Sequence, residues 1–229
     1  MKRYMLLTIM FFLFLATTSA LPKKVNQENF ICISLGANCT VARRLDTKKL
    51  RSYAFPFDWL RTPQFDSIIL LLKNSFKDFL NTGYLIANNT EKNITVNTLY
   101  DITFTHDFEN YSTFIAKDLG SVQEKYNRRI NRLYETLRSN KHVYFMRSGS
   151  INSDQITEFC QTIKELFPHL RYTFVVATNT SLQINSDLKN VKLFLIKDIG
   201  YPGNTQEWQA IFKALQLKGT AQSLGVFRS

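Results

Sequence analysis

Phe30-Ile31-Cys32-Ile33-Ser34-Leu35-Gly36-Ala37-Asn38-Cys39 is the stretch that decides the fold. Its first six residues form an apolar, β-branched run closed by a glycine, the pattern of a buried strand running into a tight turn. Asn38 is then a good N-cap, and a short helix is expected from Cys39 to Leu45. A buried strand that turns directly into a helix is the opening unit of an α/β chain.

Downstream, Tyr53-Ala54-Phe55-Pro56-Phe57-Asp58-Trp59 cannot be regular helix and reads as a packed aromatic loop. Thr62-Pro63 is expected to cap a helix with Phe65, Ile68, Ile69, Leu72, Phe76 and Phe79 on one face, ending near Gly83. Residues 84 to 98 carry little period. Tyr100, Ile102 and Phe104 then alternate with polar residues in a strand that ends at His106. Ser121 and Glu124 have capping-box spacing for a helix to Arg138. A strand His142 to Met146, a helix carrying Cys160, strands Tyr172 to Ala177 and Val191 to Ile196, and a helix around Trp208, Ile211, Phe212 and Leu215 complete the chain. Alternating strands and helices, with no repeat and no interior linker, predict a single three-layer α/β/α domain with a mainly parallel sheet over residues 28–218.

Residues 1–20 are expected to be a signal peptide. Met1-Lys2-Arg3 is basic, Tyr4 to Ala16 is almost wholly apolar, and Thr18-Ser19-Ala20 ends in small residues. An exported protein is therefore expected, whether secreted, periplasmic or lumenal. The apolar run is shorter than the ~20 residues a spanning helix needs, so no stable membrane span is expected after cleavage; an uncleaved anchor is the alternative.

The 229 residues are 45% hydrophobic and 14% aromatic, which is enough for a real core and argues against disorder. The formal net charge is +11, with the basic residues scattered. Local density occurs at Arg43/Arg44, at Lys48/Lys49/Arg51 and at Arg128/Arg129/Arg132. None is interleaved with aromatics, so nucleic acid is not the expected partner, and an anionic ligand fits better.

Three cysteines leave at least one thiol unpaired within the chain. Cys32 inside a strand and Cys160 on an apolar helix face read as small buried hydrophobes. Cys39 differs, because the first turn of a helix favours thiolate over thiol. Of the three histidines, His142 and His169 have ordinary readings at the start of a strand and in a connection, which leaves His106 as the candidate base. Asp58 and Asp107 both qualify as the carboxylate that orients it, with a lean to Asp58. The plain alternative is that Cys39 only packs a helix on a sheet. No His, Cys or carboxylate cluster has metal-ligand spacing, and Gly36-Ala37-Asn38 lacks a full phosphate-loop pattern, so no metal and no cofactor are expected. Five sequons occur, at Asn38, Asn88, Asn93, Asn110 and Asn179, and a glycan on Asn38 would conflict with chemistry at Cys39.

Ser34-Leu35-Gly36-Ala37-Asn38-Cys39-Thr40-Val41-Ala42, with Pro56-Phe57-Asp58-Trp59, Phe104-Thr105-His106-Asp107-Phe108 and Tyr144-Phe145-Met146-Arg147, resembles an uncharacterised bacterial family of papain-like cysteine peptidases. The resemblance runs over roughly residues 30 to 200. It implies a Cys/His pair at Cys39 and His106, with Asp58 as third member. The family label implies a nucleophile on a long helix against an antiparallel barrel, whereas the periodicity gives alternating strands and helices. The expected function is a cysteine-nucleophile hydrolase, peptidase-like or an acyl transferase. Its substrate is a peptide or small anionic molecule, contacted by Arg51, Arg129, Arg147 and Asn38. The alternatives are an α/β transferase or binding protein for an anionic glycan or nucleotide-type ligand, and an exported interaction protein without chemistry.

Overall fold

A computed structural model describes residues 30–87, 94–108 and 115–219. The expected signal segment and the sequons Asn88, Asn93 and Asn110 lie outside them.

Strand β1 (Phe30–Ser34) passes through a turn into α1 (Thr40–Thr47). Next come β2 (Leu60–Arg61) and α2 (Phe65–Lys73). Three short strands follow, β3 (Leu85–Ala87), β4 (Thr95–Asn97) and β5 (Ile102–Phe104). The long helix α3 (Ile115–Arg138) leads to β6 (His142–Ser148), α4 (Ser153–Leu166), β7 (Arg171–Thr178), β8 (Val191–Leu195) and α5 (Thr205–Ala214).

The chain forms one α/β domain with two sheets. The first has the order β1-β6-β7-β8 and is parallel at each of its three pairings. Parallel strands need crossovers: α4 supplies the one from β6 to β7, while β7 reaches β8 through residues 179–190, which form no helix. The second sheet, β2-β5-β4-β3, is antiparallel. Its strands are two or three residues long, too short to show a period, which is why the sequence suggests only one of them.

Core residues alternate along the parallel strands. Ile33, Val143, Phe145, Phe174 and Val176 pack with the apolar faces of α2, α3 and α4. Cys32, Met146, Val175 and Ala177 pack with Val41 and Leu45 of α1 and with Trp208, Ile211 and Phe212 of α5. Successive strand side chains point to opposite faces, and both faces are covered here. Cys32 and Cys160 are buried, as expected of small hydrophobes.

Several local expectations are corrected. Helix α2 ends at Lys73, and Phe76 and Phe79 reach the core from a turn in which Ser75, Phe76 and Asp78 have positive φ. Their aromatic burial outweighs the backbone cost, so a helical period continues past the helix end. Helix α3 starts upstream of Ser121, whose hydroxyl donates to Asp118 O from within the helix. Thr62 does not cap α2; its oxygen is engaged by Ala37 and Arg147.

Candidate active site

The turn after β1 is fastened before any side chain of chemical interest is placed. The Gly36 N–H donates to Ser34 Oγ, and the Ala37 N–H donates to Thr62 Oγ1 at 2.9 Å. The Thr62 N–H returns a bond to Ala37 O at 3.1 Å. Gly36 and Ala37 have φ of 72° and 64°, left-handed values that a chain adopts to reverse sharply. Asn38 then accepts the Thr40 N–H on its Oδ1 from one position before the cap: Cys39, not Asn38, is the N-cap of α1, which starts one residue later than expected. Cys39 is thereby held at the helix entrance, half-buried.

Arg147 stands behind this turn. It is fully enclosed, donating to Leu35 O, Thr62 Oγ1, Thr62 O and Pro63 O, with its guanidinium over the Phe65 ring. Burial lowers it to about 9, which leaves it cationic at neutral pH. Expected as a substrate contact, it instead ties the ends of β1 and β6 to the residues after β2.

His106 arrives from the other sheet, two residues beyond β5, and is exposed. Its Nε2 lies 3.8 Å from Cys39 Sγ. The Trp59 ring meets the His106 ring edge-on at 6.3 Å between centroids, forming a half-buried wall beside it. His142 lies at the opposite, N-terminal end of β6 and bonds Thr173, and His169 is exposed in the connection between α4 and β7.

Asp58 and Asp107 separate clearly. Asp107 uses both oxygens, Oδ1 on Lys125 at 2.7 Å and Oδ2 on the Tyr126 hydroxyl at 2.8 Å. Asp58 is fully buried; its Oδ2 accepts from Arg51 and from the Phe55 N–H, while Oδ1 is enclosed without a protein partner among the described residues. Burial pushes the Asp58 carboxyl above its ordinary value, opposed by Arg51, the Phe55 N–H and Arg129.

Burial also pushes the Cys39 thiol up. The Arg61 guanidinium pulls it down most, Asp58 raises it, the Thr105 hydroxyl lowers it and Asp107 raises it. The net direction is therefore opposite to the lowering expected at a helix entrance, with burial of the thiol as its largest cause.

The remaining arginines and Asn38 divide as follows. Arg51 is paired with Asp58 at 3.1 Å and Asp46 at 3.2 Å and lies over Trp59. Arg129 is half-buried with its guanidinium over the Tyr126 ring. Asn38 is occupied with Thr40. Arg61, exposed on β2 next to Thr62, is not among the residues expected at the site. The alternation of half-buried Trp59, buried Leu60, exposed Arg61 and buried Thr62 is the signal that could have found it.

A family model described as "Putative papain-like cysteine peptidase (DUF1796)" matches residues 30–187. "Uncharacterized protein R408" of Acanthamoeba polyphaga mimivirus is 26% identical over 133 residues, which is 50% of this chain and 60% of that protein. The chain therefore spans less than two thirds of that relative's length. No solved structure matches the chain.

Proposed function

This chain belongs to the family that this model describes as "Putative papain-like cysteine peptidase (DUF1796)", and from that premise we propose that it is a thiol hydrolase with Cys39 as nucleophile and His106 as its base. The observation that carries the reading is the 3.8 Å approach of a half-buried thiol to an exposed imidazole brought from a separate sheet. That distance suits a ligand-free pair, which tightens when substrate arrives.

The reaction is an acyl transfer. The Cys39 thiol gives its proton to His106 Nε2 while sulfur bonds the substrate carbonyl carbon, whose π pair moves onto oxygen. No hydrogen bond joins the Asn38 or Cys39 N–H to another described residue, so both donors are available to the oxyanion. Collapse expels the leaving group, which takes the proton from His106 and leaves a thioester on Cys39. A water molecule, deprotonated by His106, then adds to the thioester carbonyl and releases the acid with the thiol restored.

Asp58 is the orienting carboxylate in this scheme. It retains an unengaged buried oxygen, whereas Asp107 has none. No hydrogen bond joins Asp58 to His106 among the described residues; the free Oδ1 takes the ring N–H as substrate closes the site, fixing the tautomer and supporting the imidazolium. The scheme also carries the finer architecture, a three-layer α/β/α domain with α1 and α5 on one face and α2, α3 and α4 on the other, supported by the alternation of Cys32 and Ile33 between two core clusters. Export behind residues 1–20, and action on a peptide or small anionic substrate, belong to the same proposal.

The test is the rate of iodoacetamide labelling across pH, resolved by site with mass spectrometry, in wild type and His106→Ala. Near neutral pH Cys39 should label faster in the wild type than in His106→Ala, because the imidazole takes the proton that burial otherwise holds on the thiol. Identical profiles in the two proteins would reduce Cys39 to a packing residue.

A further inference from the structure

Strands β2 and β5 bury one face, and the other carries Thr105 and Arg61, whose hydroxyl and charge both act on the Cys39 thiol. Leu60, Thr62, Ile102 and Phe104 are buried; Trp59, Arg61, Thr103 and Thr105 are not. Arg61 stands opposite Thr103 in the antiparallel register, so the two share the outer face. Thr105, two residues on, donates to Trp59 O. Trp59 touches the His106 ring, and Thr62, the neighbour of Arg61, is bonded in both directions to Ala37, two residues before Cys39. This outer face therefore forms one wall of the Cys39 site.

Arg61 is the cation on that wall. Among the described residues, no ion pair or hydrogen bond engages its guanidinium, in contrast to Arg51 and Arg147, which are taken up by Asp58, Asp46 and buried carbonyl groups. A guanidinium with its full fork of donors free suits a planar carboxylate, which it binds through two parallel hydrogen bonds.

We propose that Arg61 is a specificity-determining residue that seats a substrate carboxylate beside the acyl group attacked by Cys39. This rests on Cys39 being the nucleophile. The carboxylate is either a peptide's terminal group or an acidic side chain next to the scissile bond.

Paired alkylation separates the claims. Iodoacetate carries a carboxylate and iodoacetamide does not, while both leave S-alkylated Cys39 and iodide. Any change in thiolate content cancels in the ratio of their rates. Arg61→Gln should lower the iodoacetate-to-iodoacetamide ratio by about threefold to fivefold, the scale of an exposed ion pair. Arg61→Lys should recover only part of it, because it keeps charge without the planar fork. An unchanged ratio in Arg61→Gln, with Cys39 still labelled rapidly by iodoacetamide, overturns the Arg61 assignment alone. Slow labelling of Cys39 by both reagents in the wild type overturns the nucleophile assignment, and this one with it. Protection of Cys39 by a short acetylated peptide acid but not by its amide would assign a terminal carboxylate. Protection by an amide with an internal glutamate, lost with glutamine, would assign the side chain. Protection by none of these peptides, or equally by all, overturns the assignment.

Discussion

Arg147 Nη1 donates to Thr62 Oγ1 across 2.9 Å, both groups being fully buried and 85 residues apart in sequence. The same hydroxyl oxygen receives the Ala37 N–H. The position of the Cys39 turn is thus transmitted from the end of β6 through one side chain.

Replacing Arg147 by Met should destabilise the domain strongly. The substitution retains apolar volume over Phe65 but strips donors from Leu35 O, Thr62 O and Pro63 O. Of these, Leu35 O and Thr62 O are buried, and buried acceptors left without partners cost about 1–3 kcal/mol each. A total loss of about 3 kcal/mol or more should lower the Tm by roughly 6–12 °C for a chain of this size. A Tm within about 2 °C of wild type would mean that the clamp contributes little.

Two glycine substitutions should move stability in opposite directions. At Gly36, φ is +72° and a methyl group would overlap Thr62 Oγ1, so Gly36→Ala should lose about 2 kcal/mol or more. Gly120 lies within α3, and a methyl group there would meet nothing within 4 Å, so Gly120→Ala should gain about 0.5–1 kcal/mol. Urea denaturation of both variants reads these values. A neutral Gly36→Ala would contradict the tight fit between the turn and Thr62.

Much of this arrangement was legible locally, and the rest was not for identifiable reasons. The run from Phe30 to Leu35 is apolar because β1 is covered on both faces, and the glycine after it marks a turn that only left-handed residues make. The antiparallel sheet was obscured because strands of two and three residues, such as Leu60–Arg61, carry no measurable period. The enclosure of Arg147 is not visible in sequence, because an arginine bound to carbonyl groups of distant segments looks there like any arginine beside a motif. Asp58 and Asp107 could not be ranked without knowing that Lys125 and Tyr126, on α3, converge on Asp107.

The two carboxylates should respond differently to neutralisation. Asp107→Asn breaks an ion pair with Lys125 and weakens the bond to the buried Tyr126 hydroxyl, so its main effect should be on stability, about 1–3 kcal/mol. Asp58→Asn keeps an acceptor for the Phe55 N–H, breaks the buried ion pair with Arg51 at some cost in stability, and removes the charge proposed to orient His106. It should slow Cys39 alkylation near neutral pH by about tenfold or more, while leaving iodoacetamide the same limiting rate at high pH. If Asp107→Asn produces the larger kinetic defect, the orienting role moves to Asp107.

Cys39 also gives a signed pH dependence of stability. Its thiol is raised above the ordinary value of 9.0 by burial, so the folded state holds the proton more tightly than the unfolded chain does. Stability from this group is complete below the unfolded pKa and declines as pH rises through the folded value. Cys32 is shifted in the same direction by burial, with no opposing charge. Changing Cys32 to Ala would confuse this effect with a cavity, so Cys39→Ser is the cleaner probe: serine does not ionise in the range and fits a half-buried position. Between pH 8 and about 10.5, wild type should lose stability relative to Cys39→Ser, measured by urea denaturation. A widening gap in favour of the wild type over that interval would show that the thiolate is stabilised at the site; the balance would then lie with Arg61 and the helix entrance rather than with desolvation.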